Sequence, residues 1–172
     1  MAKFILSVVG SDRPGLTQAL AGAIFATGGN WLESHLSQLG GLYVGSVLVD
    51  LATDDFAALA TAARAIDDKG LDVRIAPAAA EQDVEGAALH FSLVGQDRPG
   101  IVNQITQVLS GLHVNIEAFD TRLSIEPHSG AQLFHIEAKL RLPPQRTADQ
   151  VQTAIEQISG EIMVDVALTP LG

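Results

Sequence analysis

Gly10-Ser11-Asp12-Arg13-Pro14-Gly15 recurs as Gly95-Gln96-Asp97-Arg98-Pro99-Gly100, each residue displaced by 85 positions. Each copy follows a short apolar run, Phe4 to Val9 or Leu89 to Val94, and precedes a stretch with helical spacing. The offset still holds at Asn30 and Asn115. A self-similarity this extended marks a duplicated module. A loop repeated at a strand-to-helix junction is also where backbone amides can receive an anion, so the repeat bears on function as well as on architecture.

Outward from the first loop, Lys3 to Val9 reads as a buried strand. Pro14 suits the first turn of a helix, because its missing amide would be unpaired there anyway. Leu16, Leu20, Ala23, Ile24 and Thr27 follow at helical spacing until Gly28-Gly29. Trp31 to Leu39 and Leu42 to Leu51, divided by Gly40-Gly41, form a hairpin pattern. Asp54 or Asp55 is placed to cap a second helix carrying Phe56, Leu59, Ala63 and Ile66, which ends at Lys69-Gly70, and Leu71 to Ala76 is the last strand. The second half repeats the order: a strand from His90 to Val94, a helix from Pro99 to Leu112, a hairpin from Asn115 to Ile125 and Gln132 to Leu142, a helix capped by Thr147, and a strand from Glu161 to Leu168.

The expected fold class is therefore α+β, with two ferredoxin-like βαββαβ domains, each a four-stranded antiparallel sheet with two helices on one face. Residues 1–77 and 88–172 are the expected domains. The linker between them, residues 78–87, is alanine-rich and acidic through Glu81, Asp83 and Glu85. A module of roughly 75–85 residues buries only about 60% of its unfolded surface, so each half is expected to gain from packing on a partner. The second hairpin has a longer turn, Glu126 to Gly130, and Gly28-Gly29 becomes His113-Val114. The two loops are accordingly not expected to be equivalent.

Hydrophobic residues make up 47% of the 172 and charged residues 17%, a globular composition. No apolar run approaches the ~20 residues of a membrane span, and the N-terminus lacks the shape of a signal peptide, so a cytoplasmic location is expected. The chain has no cysteine, which excludes disulfides and thiolate chemistry. Its net charge is −10 and its bases are scattered, so no basic face is available to a phosphate backbone. Any role in gene control would run through another protein.

In the repeated loop, Gly10 and Gly15, like Gly95 and Gly100, remove side chains around a helix N-terminus, whose amides and dipole favour a carboxylate or phosphate. The loop lacks the Gly-Lys-Ser/Thr ending of a P-loop and does not match the dinucleotide fingerprint, so a small carboxylate fits better than a nucleotide. Asp12 and Asp97 add a negative charge that a zwitterionic amino acid would accommodate, its ammonium turned to a carbonyl or to the side chain of Asn30 or Asn115. The same residues also serve plain helix starts, with Asp12 complementing the helix terminus and Arg13 solvated. From the residues alone both readings stay open.

The five histidines show no helical metal-binding arrangement, and no metal is expected. Ser34-His35 and Ser129 lie in no nucleophile elbow, so no catalytic residue is assigned. Trp31 reads as a large apolar cover on the sheet, with Glu33 on the same strand face by alternation. Phe119, Thr121 and Leu123 read as packing, and Gly45 as a point of close backbone approach.

The order strand, Gly-x-Asp-Arg-Pro-Gly-Leu/Ile, helix, then Gly-Gly-Asn or Val-Asn, resembles the ACT domain, a small amino-acid-sensing regulatory module. Two such domains across residues 3 to 169, with Asn30-Trp31-Leu32-Glu33-Ser34 in the first, are similar to the bacterial family of glycine cleavage system transcriptional repressors. The resemblance implies a non-enzymatic regulator without a cofactor that senses glycine or serine. It also implies restraint of a LysR-type activator of the glycine cleavage operon by protein contact, and a homodimer. The implied ligand-binding residues are Gly10, Ser11, Asp12, Arg13, Pro14, Gly15, Leu16 and Asn30, with Gly95, Gln96, Asp97, Arg98, Pro99, Gly100, Ile101 and Asn115 in the second copy. The alternative is a free-standing regulatory subunit of an amino-acid metabolic enzyme.

Overall fold

A computed structural model describes residues 2–67, 70–80, 85–159 and 164–170. The chain divides into two compact units, residues 1–81 and 82–172. In the first, β1 (Ala2–Ser11), α1 (Leu16–Ala26), β2 (Asn30–Leu39), β3 (Leu42–Leu51), α2 (Phe56–Asp67) and β4 (Leu71–Pro77) follow in order. The second repeats this as β5 (Ala88–Gln96), α3 (Ile101–Gly111), β6 (Asn115–Ile125), β7 (Gln132–Arg141), α4 (Ala148–Ser159) and β8 (Val164–Pro170). The sheets have the orders β2-β3-β1-β4 and β6-β7-β5-β8, and every neighbouring pair is antiparallel. This is the βαββαβ architecture that the repeat implies.

The alternation of β1 explains its central place. Phe4, Leu6 and Val8 point into the core, where they meet Leu16, Leu20 and Ile24 of α1 and Leu59 and Ile66 of α2. The second core repeats the pattern with Leu89, Phe91 and Leu93 against Ile101, Ile105 and Leu109 of α3 and Val151 and Ile155 of α4. Each such side chain, fully buried, contributes about 1.5–3 kcal/mol. Trp31 is half-buried against the first core, and Phe119 packs on the second.

Four local expectations resolve differently from, or more sharply than, the sequence reading. The first helices start after the prolines: Gly15 at φ 93° and Gly100 at φ 92° are left-handed, so Pro14 and Pro99 sit in a turn ahead of α1 and α3. Asp54 and Asp55 belong to a 3₁₀ turn, Thr53–Asp55, that leads into α2. Thr147 does cap α4, in a reciprocal capping box with Gln150: the Gln150 amide donates to Thr147 Oγ1 at 3.3 Å and the Thr147 amide to Gln150 Oε1 at 3.2 Å. Lys69, Glu81, Asp83 and Glu161 lie outside the described residues.

A bulge corrects the fourth. The register of β2 on β3 shifts between Trp31 and Glu33, leaving Leu32 as the extra residue. Trp31 pairs with core-facing Val49, whereas Glu33 pairs with Leu48 on the opposite face. Trp31 and Glu33 therefore do not share a face, because one inserted residue reverses the period-two alternation. The second unit has the same bulge between Ile116 and Ala118.

Gly45 is the close approach expected of it: a Cβ there would overlap the carbonyl oxygen of His35 in β2. Gly45→Ala is expected to lower unfolding stability by about 1–3 kcal/mol, since a β2–β3 backbone contact must open. Urea denaturation of the two proteins measures this, and an unchanged midpoint would show that the hairpin adjusts freely.

Candidate functional site

The loop between β1 and α1 hangs from the end of the central strand. Gly10 pairs with Tyr43 on one side and Leu71 on the other, and the Ser11 amide donates to the Gly70 carbonyl at 3.3 Å. Gly10 owes its missing side chain to this packing, because a Cβ would overlap the Gly70 carbonyl oxygen. Gly15 is different. Nothing lies within 4 Å of the position a Cβ would take, so its role is the backbone angle that turns the chain into α1.

No side chain caps α1 or α3, and neither has an acidic residue in its first turn. The first-turn amides of α1, from Leu16 onward, have no intrahelical acceptor and lie at the positive end of the helix. Asp12 does not complement that terminus; its carboxylate accepts from Gln38 Nε2 at 2.7 Å. Thr17 Oγ1 and Tyr43 Oη, 2.7 Å apart, tie the first turn to β3. The Arg13 guanidinium lies against Gly70, 2.5 Å from where a Cβ would stand. Arg13, Pro14, Gly15, Leu16, Gln18 and Ala19 border an open cleft of about 510 Å³. An anion at this N-terminus would meet amides and one guanidinium.

The second loop is built alike and occupied by its own side chains. The Asp97 amide donates to the Gln132 carbonyl at 3.0 Å, and the Ile101 amide to the Arg98 carbonyl at 3.4 Å. Arg98 folds back onto α3, where Nη2 donates to Gln104 Oε1 at 2.5 Å while Nε is buried without a partner. The residue at the position of Gln104 in the first unit is Ala19, which offers Arg13 no such acceptor. Gln96, Pro99 and Gly100 are exposed as their counterparts are; Ile101, like Leu16, is buried.

Neither unit brings its asparagine to its loop. Asn30 pairs with Asp50, which pairs with Lys3, at the opposite end of the sheet from Gly10. The length of β1 between Lys3 and Gly10, roughly 24 Å at about 3.4 Å per residue, separates them. Asn115 pairs with Arg141 and lines a separate cleft of about 500 Å³ beyond the end of α3, with Thr106, Ser110 and His113. Gln38 and Tyr43, in contrast, reach the first loop from a hairpin distant in sequence. No local pattern marks either, although the Ala19/Gln104 difference was visible at the 85-residue offset.

Beside Asn115, the bulged Glu117 holds two cations. Arg141 Nε donates to its Oε1 at 2.7 Å, Lys139 Nζ stands 3.0 Å from Oε2, and Arg141 Nη1 also donates to the Gly86 carbonyl at 3.1 Å. The hydrogen bond from Arg141, then that from Lys139, lowers the Glu117 carboxyl below its ordinary value.

Residues 2–76 match the family model of the ACT domain. The first unit matches the ACT domain, and the second repeats its βαββαβ fold. An unknown protein from Galdieria sulphuraria has the same two-unit fold, at 27% identity and a TM-score of 0.86 over 99% of both chains. A candidate glycine cleavage system transcriptional repressor is similar in fold at 16% identity and a TM-score of 0.69, over 99% of this chain and 97% of that one. No curated protein sequence matches the chain. No helix among the described residues is long and apolar enough to cross a membrane.

The depressed Glu117 carboxyl stabilises the fold fully above its ordinary value of 4.5, and that contribution is lost as pH falls through the lower folded value. Wild type is therefore expected to unfold at higher temperature than Glu117→Gln near neutral pH, with the difference closing as pH falls below 4.5. A constant difference across that range would mean that Glu117 acts through packing alone.

Proposed function

We propose that the chain is a non-enzymatic regulator that senses a small amino acid through its first ACT unit. The observation that carries this reading is the uncapped N-terminus of α1, opened by left-handed Gly15 and bordered by Arg13 at an open cleft. The ligand carboxylate takes the first-turn amides and the Arg13 guanidinium, and its ammonium turns to the Asp12 carboxylate. The site comprises Gly10 to Leu16. The second loop, Gly95 to Ile101, binds more weakly or not at all because Arg98 is engaged by Gln104. Asn30 and Asn115 touch no ligand held at the loop of their own unit.

Glycine or serine is the effector in this reading. The regulated process is transcription of the glycine cleavage operon, restrained by contact with a LysR-type activator, and the working form is a cytoplasmic homodimer. The fold shared with the candidate repressor supports this assignment, and the net charge of −10 without a basic face supports an indirect role.

Titration calorimetry with glycine and serine tests the site. Saturable binding is expected, weakened about tenfold or more by Arg13→Ala, since a hydrogen bond to a charged group contributes about 1.5–3 kcal/mol. Arg98→Ala and Asn30→Ala are expected to leave it unchanged. Absence of binding to any amino acid would reduce the first loop to a helix start. Loss of binding in Asn30→Ala would mean that a further ACT unit completes the site. Recovery of a LysR-type activator in a pull-down checks the partner, and specific DNA binding by the chain itself would overturn the indirect role.

A further inference from the structure

The two loops share Asp-Arg-Pro-Gly and a left-handed glycine, and they differ at one position that decides what the arginine can do. Gln104 lies in the first turn of α3, its own amide bonded to the Gly100 carbonyl at 3.0 Å. Ala19 holds the same place in α1, with its amide on the Gly15 carbonyl at 2.9 Å, and it borders the cleft beside Arg13. The 85-residue offset thus sets an amide acceptor in α3 where α1 leaves an opening. Arg98 Nη2 uses that acceptor, at 2.5 Å from Gln104 Oε1, while Arg98 Nε is buried without a partner. A buried donor without an acceptor carries the full cost of its desolvation. Nε and Nη2 form one side of the guanidinium fork, and the two oxygens of a carboxylate accept from both together, which a single amide oxygen does not. The N-terminus of α3, which no side chain caps, suits the same group.

We infer that the second loop is a carboxylate site held closed by Gln104, so that Ala19 and Gln104 set the affinities of the two loops. The ligand must break the hydrogen bond between Arg98 and Gln104 before its carboxylate takes Nε and Nη2. The apparent affinity of the second loop is its intrinsic affinity multiplied by the fraction of chains in which Arg98 is released. A hydrogen bond to a charged group makes that fraction about one tenth or less. The first loop therefore fills before the second, and the chain answers to the same amino acid over two ranges of concentration. The second site rests on the amino-acid reading proposed for the first loop.

Titration calorimetry of the full chain with glycine and with serine tests it on wild type, Gln104→Ala, Gln104→Glu and Ala19→Gln. Gln104→Ala is expected to bind two equivalents in the range where wild type binds one, its second site tightened about tenfold or more. Gln104→Glu keeps an acceptor for Arg98 and is expected not to gain that site. Ala19→Gln brings an acceptor to Arg13 and is expected to weaken the first site about tenfold or more. Circular dichroism identifies any variant that has lost its fold. One equivalent bound alike by wild type and Gln104→Ala overturns the closed second site and leaves the proposed function standing. A second site gained by Gln104→Glu as well overturns the hydrogen bond as its cause, and an unchanged first site in Ala19→Gln overturns the role of that position. Binding by Gln104→Ala but not by wild type overturns the first-loop site and supports the second, whereas binding by neither overturns both.

Discussion

Everything in each unit is referred to a strand that is hydrogen-bonded on both sides. β1 lies between β3 and β4, and β5 between β7 and β8, so the end of each central strand cannot move without disturbing two ladders. Gly10 shows how tight that constraint is, since a single Cβ there would collide with the turn before β4. The loop that follows inherits a fixed origin, and left-handed Gly15 fixes its direction into α1. A small carboxylate can be recognised by amides only if those amides are held in place, and the double pairing holds them.

Duplication preserved this frame and released the side chains around it. The two loops share Asp-Arg-Pro-Gly, yet one arginine borders a cleft and the other is folded onto its own helix. The difference traces to Ala19 and Gln104, a methyl group against an amide, six residues beyond the arginine in each copy. The bulge is likewise common to both units, but it presents Leu32 in one and Glu117 in the other, where Arg141 and Lys139 gather on the carboxylate. The open faces differ as well: where the first unit has Ile5, Val44 and Leu48, the second has His90, His135 and Lys139. Backbone geometry is under one set of constraints in both units, whereas exposed side chains answer to different neighbours.

Most of the fold was legible because its signals are local: apolar alternation in β1 and β5, helical spacing in α1 and α3, glycine pairs at the turns, and the Thr147 cap. The misread details each needed a partner distant in sequence. Trp31 and Glu33 read as sharing a face because a bulge leaves no mark on alternation until β3 supplies the register. Gly10 read as an opening for a ligand because Gly70 is sixty residues away. Asn30 and Asn115 read as neighbours of the loop because they open the next strand, but a helix carries the chain along the sheet to its far end before that strand begins.

The sequence by itself determined the duplication, the order of elements, the inward residues of the central strands and the repeated loop at a helix start. These follow from periodicity, backbone preference and the 85-residue offset, which are properties of the chain. Only the tertiary structure decided that Gln38 and Tyr43 reach the first loop, that Arg98 is internally engaged, and that Ile5, Val9, Val44 and Leu48 form one face. Antiparallel pairing brings residues together by register, and register is settled when whole strands meet, not by any residue read along the chain.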